Sequence, residues 1–152
     1  MSAIKVYTDA GYDTLGLPPV YLGVAIEGII AKCIEGSSDP KSLYTLCKSV
    51  TKPVRSSTEA EYFALLLALG MLLDMEVDKI HIVNDNQTMV RQMQGRYRVH
   101  KPYLQELKDM ADKLWDSLKD QGKILRITHI PRKLNLADKC VREAKRDYLI
   151  NQ

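Results

Sequence analysis

The chain opens on an alternating stretch, Ile4-Lys-Val-Tyr-Thr-Asp9, whose apolar and polar positions repeat every second residue and so predict a β-strand. A second β-rich stretch runs from Tyr21 to about Ile34, bent or broken near Gly28, and a third from Leu43 to about Val50. Between the first two, residues 12–19 are turn chemistry, and Gly36-Ser-Ser-Asp-Pro40 is a loop. Ser56-Ser57-Thr58 then opens a helix that runs to about Leu73. Both Ser56…Glu59 and Thr58…Glu61 fit the capping-box spacing. Residues 78–84 contain the next strand, 87–93 a short helix stopped by Gly95, and 124–130 the last strand, closed by Pro131. Between those, Pro102 to Leu118 places Leu104, Leu107, Ala111, Leu114, Trp115 and Leu118 on one helical stripe, and Gly122 ends it. A final helix is predicted from Leu136 to about Leu149.

The resulting order, β-β-β-α-β-α-α-β-α, is a meander followed by β/α units. It implies an α/β fold with a mixed sheet and helices packed against it. No repeat, low-complexity stretch or dividing linker is visible, so residues 1–152 read as a single domain long enough to bury a core. The longest apolar run, Phe63 to Leu73, is too short to span a bilayer and reads as a buried helix. Three cysteines (Cys33, Cys47, Cys140) without metal-ligand spacing read as reduced thiols. With no signal segment apparent, a cytoplasmic monomer with no membrane partner is expected.

Net charge of +3 is weak for a nucleic-acid binder. If four acids are sequestered, however, 22 basic residues face 15 remaining acidic ones, and the surface carries +7. Four acids stand at element ends. Asp9 ends the first strand and precedes Ala10-Gly11; its alternative role is a turn former. Asp85 follows the strand ending at Asn84, and could instead cap the next helix. Asp138 opens the last helix, where an acid also complements the helix dipole. Glu61 is the most informative. At about 100° per residue it falls inside the apolar arc of its helix, between Ala68 and Leu65, whereas Glu59 points away from the small-residue stripe. A carboxylate facing a core is costly unless paired or bound to metal, so Glu61 is chosen over Glu59. If the first and fourth strands are parallel, their carboxyl ends meet at one sheet edge, where open α/β sheets place ligands. Carboxylates brought so close repel one another, and oxygen-seeking divalent cations relieve that repulsion.

These segments resemble the type 1 ribonuclease H family, in its short, archaeal-like form, over nearly the whole chain. The matching residues are Thr8-Asp9; Ser57-Thr58-Glu59-Ala60-Glu61-Tyr62; Asp85-Asn86-Gln87; Gly95-Arg-Tyr97-Arg-Val99; and Pro131-Arg132-Lys-Leu-Asn135-Leu-Ala137-Asp138. The resemblance implies a mixed five-stranded sheet, with strands 1–3 an antiparallel meander and strands 4 and 5 parallel to strand 1. It implies Asp9, Glu61, Asp85 and Asp138 as catalytic metal ligands for two Mg²⁺ ions, with Mn²⁺ as a substitute. It also implies hydrolysis of the RNA strand of RNA–DNA hybrids, leaving 5′-phosphate and 3′-hydroxyl ends. For reading 2′-hydroxyls, Ser57, Thr58, Gln87 and backbone near Ala10 and Gly11 are candidates, with Asn86 beside them. Arg55 and Ser56 could hold a DNA-strand phosphate at the helix start.

The chain departs from the family pattern by Ala10 in place of glycine, a reduced Gly/Pro loop, and no basic protrusion. Arg96, Arg98, His100 and Lys101 are candidates to replace the protrusion, and Arg132 and Lys133 to approach the scissile phosphate. His129 and His81 read as strand residues, His129 packed. Two competing functions remain: a catalytically silent nucleic-acid-binding module, and a nuclease of the same fold acting on another substrate such as branched DNA. A 3′–5′ exonuclease is disfavoured, because Asp9-Ala10-Gly11 lacks the Asp-x-Glu it would need.

Overall fold

The computed structural model describes residues 3–28 and 43–151. Strands β1 (Ala3–Tyr12), β2 (Val20–Gly28) and β3 (Leu43–Val50) form an antiparallel meander, and β4 (Lys79–Asn84) and β5 (Ile124–His129) extend the sheet from β1, giving the order β3-β2-β1-β4-β5. β4 runs parallel to β1, and β5 parallel to β4. The expected mixed five-stranded sheet is therefore found. The predicted run of the second strand beyond Gly28 to Ile34, the loop at 36–40, and Cys33 lie outside the described residues.

Alternation along the strands sorts the core into two layers. Ile4 and Val6 of β1, Val24 and Ile26 of β2, and Ile80 and Ile82 of β4 are buried with the apolar residues of α1 (Ser57–Leu72) and α3 (Pro102–Asp120), and with Met89 and Val90 of α2 (Gln87–Met93). Tyr7, Ala25 and Val83 are buried instead with Ala137 and Cys140 of α4 (Ala137–Ile150). Each of the large aliphatic side chains so buried contributes on the order of 1.5–3 kcal/mol. α3 begins as the sequence predicts, with Pro102 at its first position, where a missing N–H costs nothing. It ends at Asp120, two residues beyond the expected Leu118, and Gly122 there adopts φ +88.

α1 is the buried helix that the apolar run from Phe63 to Leu73 predicts, with the sheet and α3 both packed on it. Glu59 is as buried as Glu61: 3% exposed against 7%. The apolar-arc argument thus separates the two glutamates by direction but not by burial. The carboxylate of Glu59 accepts the backbone N–H of Arg55 at 2.6 Å and its guanidinium at 2.9 Å. Ser56 caps the helix by accepting Glu59 N–H. Glu61 takes no part in a capping box with Thr58; its carboxylate is held by Asn84 instead.

Two features of the sheet set up the site. Pairing of β1 with β4 ends at Tyr7↔Val83, whereas pairing with β2 continues to Tyr12↔Val20. β1 therefore continues past its parallel neighbour, and Asp9 stands where the crevice opens. Opposite Asp9 on β2 lies Gly23. A Cβ there would sit 2.6 Å from the Ala137 carbonyl oxygen and 2.8 Å from Cys140 Cβ. Only glycine lets the first turn of α4, which carries Asp138, lie this close to the sheet.

Candidate active site

Asp9, Glu61 and Asp85 each offer one carboxylate oxygen to a group in which all lie within 4.8 Å of one another. Asp9 and Glu61 are buried and Asp85 half-buried. They come from β1, from the second turn of α1, and from the residue after β4. Asp85 is not a helix cap: Asn86 caps α2 by accepting Met89 N–H at 2.8 Å, which leaves the Asp85 carboxylate to the cleft. The cleft is about 430 Å³ and is lined also by Ala10, Gly11, Ser57, Asn86 and Arg132.

Its electrostatics are those of crowded, desolvated acids. Burial, then the charge of Asp85, pushes the Asp9 carboxyl up from 3.8 to about 7, against a hydrogen bond from Ala10 and the charge of Arg132. Burial and the Asp9 charge push Glu61 well above the ordinary glutamate range. Asp85 is raised too, chiefly by burial, with Arg132 and a hydrogen bond from Asn135 opposing.

Asp138 stands outside the trio. It lies in the first turn of α4, with Arg132 Nη2 at 3.9 Å and Arg142 Nε at 3.4 Å. It is near enough that its charge raises both Asp9 and Asp85. Divalent cations fit this donor set: close carboxylates that hold protons for want of a counter-charge become stable ligands once one is supplied.

Two asparagines organise the cluster. Buried Asn84 donates from Nδ2 to Glu61 Oε1 at 3.0 Å, to Thr8 O at 3.0 Å and to Thr8 Oγ1 at 2.9 Å; its Oδ1 accepts Asn86 N–H at 2.6 Å. Asn135 donates to Thr8 O at 2.9 Å, accepts Ala137 N–H at 3.1 Å, and reaches Asp85. Together they tie β1, β4, α1 and the start of α4 to one point. The sequence segments contained both residues, yet nothing in their spacing marked them as the links between acids.

The family model described as reverse transcriptase-like matches residues 37–144. Among solved structures, LC11-RNase H1, isolated from compost by a metagenomic approach, is 30% identical, with 98% of this chain and 99% of that one covered and a TM-score of 0.69. The same enzyme in complex with RNA/DNA hybrid matches with 28% identity, 96% and 99% coverage and a TM-score of 0.72. The chain belongs to the type 1 ribonuclease H family. RNase H1 from the halophilic archaeon Halobacterium salinarum shares the fold at 24% identity, 95% and 98% coverage and a TM-score of 0.77. No curated protein matches the chain.

The outlying candidates of this ribonuclease H fall into separate groups. Ala10, Gly11, Ser57, Asn86 and Arg132 share the acid cleft; Thr58 and Gln87 sit in the first turns of α1 and α2 but do not line it. Arg55 stacks over the Tyr103 ring at 4.0 Å, and Tyr103 Oη donates to Ser56 Oγ, so the start of α1 is a separate polar corner. Arg96, Arg98, His100 and Lys101 line a separate pocket, of about 540 Å³, with exposed Tyr97. Lys133 lines another cleft, described below. His129 is not packed as expected: it is exposed at the end of β5, with Nε2 3.2 Å from the Asp85 carbonyl oxygen. His81 is half-buried on β4, with Nε2 2.7 Å from Thr128 Oγ1. Among the described residues no helix is long and apolar enough to cross a membrane.

Proposed function

We propose that this protein is a divalent-metal-dependent endoribonuclease that hydrolyses the RNA strand of RNA–DNA hybrids and leaves 5′-phosphate and 3′-hydroxyl ends. The observation that carries the reading is the convergence of Asp9, Glu61 and Asp85 within 4.8 Å, with Asp138 close enough to couple to two of them. The hybrid-bound LC11-RNase H1 structure supports the substrate class. Asp9, Glu61, Asp85 and Asp138 would hold two Mg²⁺ ions, or Mn²⁺. Bound there, such cations supply the charge that ionises an attacking water and stabilises the leaving oxygen.

The residues of the chain do the rest. Asn84 and Asn135 hold Glu61 and Asp85 in place, so that the ligand set forms without large rearrangement. Arg132 lines the cleft and its charge favours ionised Asp9 and Asp85 before any cation arrives; the same guanidinium suits a phosphate oxygen of the cut strand. Ser57, Thr58, Gln87 and the backbone of Ala10 and Gly11 would read 2′-hydroxyls across the minor groove, the contact that separates RNA from DNA. Arg55 and Ser56 would take a DNA-strand phosphate, and Arg96, Arg98 and Lys101 the backbone farther along. Residues 1–152 would act as one catalytic domain and as a monomer.

The test is incubation of purified protein with end-labelled hybrid, with Mg²⁺ and with chelator, followed by analysis of product ends. Metal-dependent cutting of the RNA strand alone is the expected result. No cutting under any metal, with hybrid still bound, would make this a silent binding module. Cutting confined to branched DNA would replace the substrate.

A further inference from the structure

A second cleft, of about 850 Å³, opens on the far side of Asp138 between α4 and β3. Arg132 lines both clefts, so the two adjoin at one side chain. Four cations line the second cleft, Arg132, Lys133, Lys139 and Arg142, against two carboxylates. Both carboxylates are engaged: Asp138 by Arg132 and Arg142, and Glu143 as acceptor for the Cys47 thiol at 3.4 Å. Lys133 and Lys139 are exposed and make no ion pair among the described residues. Lys139, Arg142 and exposed Arg146 follow one another at spacings of three and four, which places them on one face of α4.

We propose that this cleft is an extension of the substrate path, in which Lys139 and Lys133 bind backbone phosphates of the RNA strand on the α4 side of the cut. The inference rests on the hybrid-cleavage reading. The strand whose phosphate enters the acid cleft is the strand that is cut, so the phosphates that continue past Arg132 belong to the RNA. A row of cations in which four face two carboxylates, two of the four outside any ion pair among the described residues, complements that backbone. Contacts of this kind position the strand without reading sequence.

The experiment measures KM and kcat on RNA–DNA hybrid from about 50 to 200 mM salt. Lys139→Gln is expected to raise KM severalfold, to leave kcat within about twofold, and to lower the slope of log KM against log salt by about one. Lys133→Gln combined with it should lower the slope by about two. Lys113→Gln, an exposed cation on α3, should change neither. Hybrids shortened from one end and then from the other provide the discriminating readout. The Lys139→Gln defect should vanish for the truncation that takes the RNA away from α4 and persist for the other. Unchanged slope and KM on a hybrid that the parent enzyme cuts would overturn the extension alone, as would a defect equal on both truncations. Failure of the parent to cut hybrid would remove the substrate reading and this inference with it.

Discussion

Replacing Asp9 by asparagine should stabilise the metal-free protein while abolishing its activity. The carboxyl of Asp9 is raised from 3.8 to about 7 by burial and by Asp85. At roughly 1.4 kcal/mol per pH unit, keeping it ionised above pH 7 costs at most about 4 kcal/mol. The repulsion is shared with Glu61 and Asp85, and local relaxation and water reduce it further, so about 1–3 kcal/mol is expected in practice. Asparagine keeps an oxygen for the Ala10 hydrogen bond and carries no charge. The sign follows from linkage: a carboxyl that titrates higher folded than unfolded costs stability as pH rises through 3.8 and on to about 7, and costs nothing below that window. Thermal melts in chelator at pH 8 should therefore show the variant higher by roughly 2–10 °C, and the difference should close near pH 4. Adding Mg²⁺ should raise the parent, because a ligand that binds only the folded state stabilises it by mass action, and should raise the variant little. A variant that melts at or below the parent at pH 8 in chelator would refute the claim that these acids are mutually strained without cations.

Other consequences follow from the same geometry. The Mg²⁺-induced rise in melting temperature of the parent should grow between about pH 5 and pH 8, as cations compete with protons for the raised carboxyls; a pH-independent shift, followed by calorimetry, would argue against binding at this cluster. Gly23→Ala should destabilise by about 1–3 kcal/mol and lower kcat more than KM, since a Cβ 2.6 Å from the Ala137 carbonyl oxygen must displace the start of α4. Gly70→Ala in α1, where nothing lies within 4 Å, should be neutral or stabilising by up to about 1 kcal/mol, with both glycine variants measured by denaturant titration. Asn135→Ala should cost roughly 1–3 kcal/mol and reduce kcat, read by paired melts and steady-state assays, because it takes the acceptor from Ala137 N–H and one of the hydrogen bonds from Asp85.

Much of this protein was legible in one dimension. Period-2 stretches marked the strands because alternate side chains face opposite sides of the sheet, and the α3 stripe marked its helix because one face is buried and the other solvated. Asp85 and Asp138 stand at element ends as the sequence suggests; Asp9 does not, because β1 runs on to Tyr12 beside β2, and what frees its side chain is the end of pairing with β4. The angular position of Glu61 is readable because a helix is rigid over one turn; the burial of Glu59 is not, because it comes from tertiary packing and from its bonds to Arg55. His129 failed for a similar reason: strand membership predicts burial only where a layer lies above, and at the end of β5 none does.

What the chain determined by itself was local: periodicity, caps, turns, and the identity of the acids at the ends of elements. What the tertiary structure decided was distance. β1 runs past β4, Gly23 lets α4 settle against β2, and two asparagines bridge from β4 and the last loop to Thr8. None of this is visible in spacing, because contacts between residues up to 127 positions apart depend on how whole layers pack, and a carboxylate's chemistry depends on which other charges that packing brings within a few ångströms.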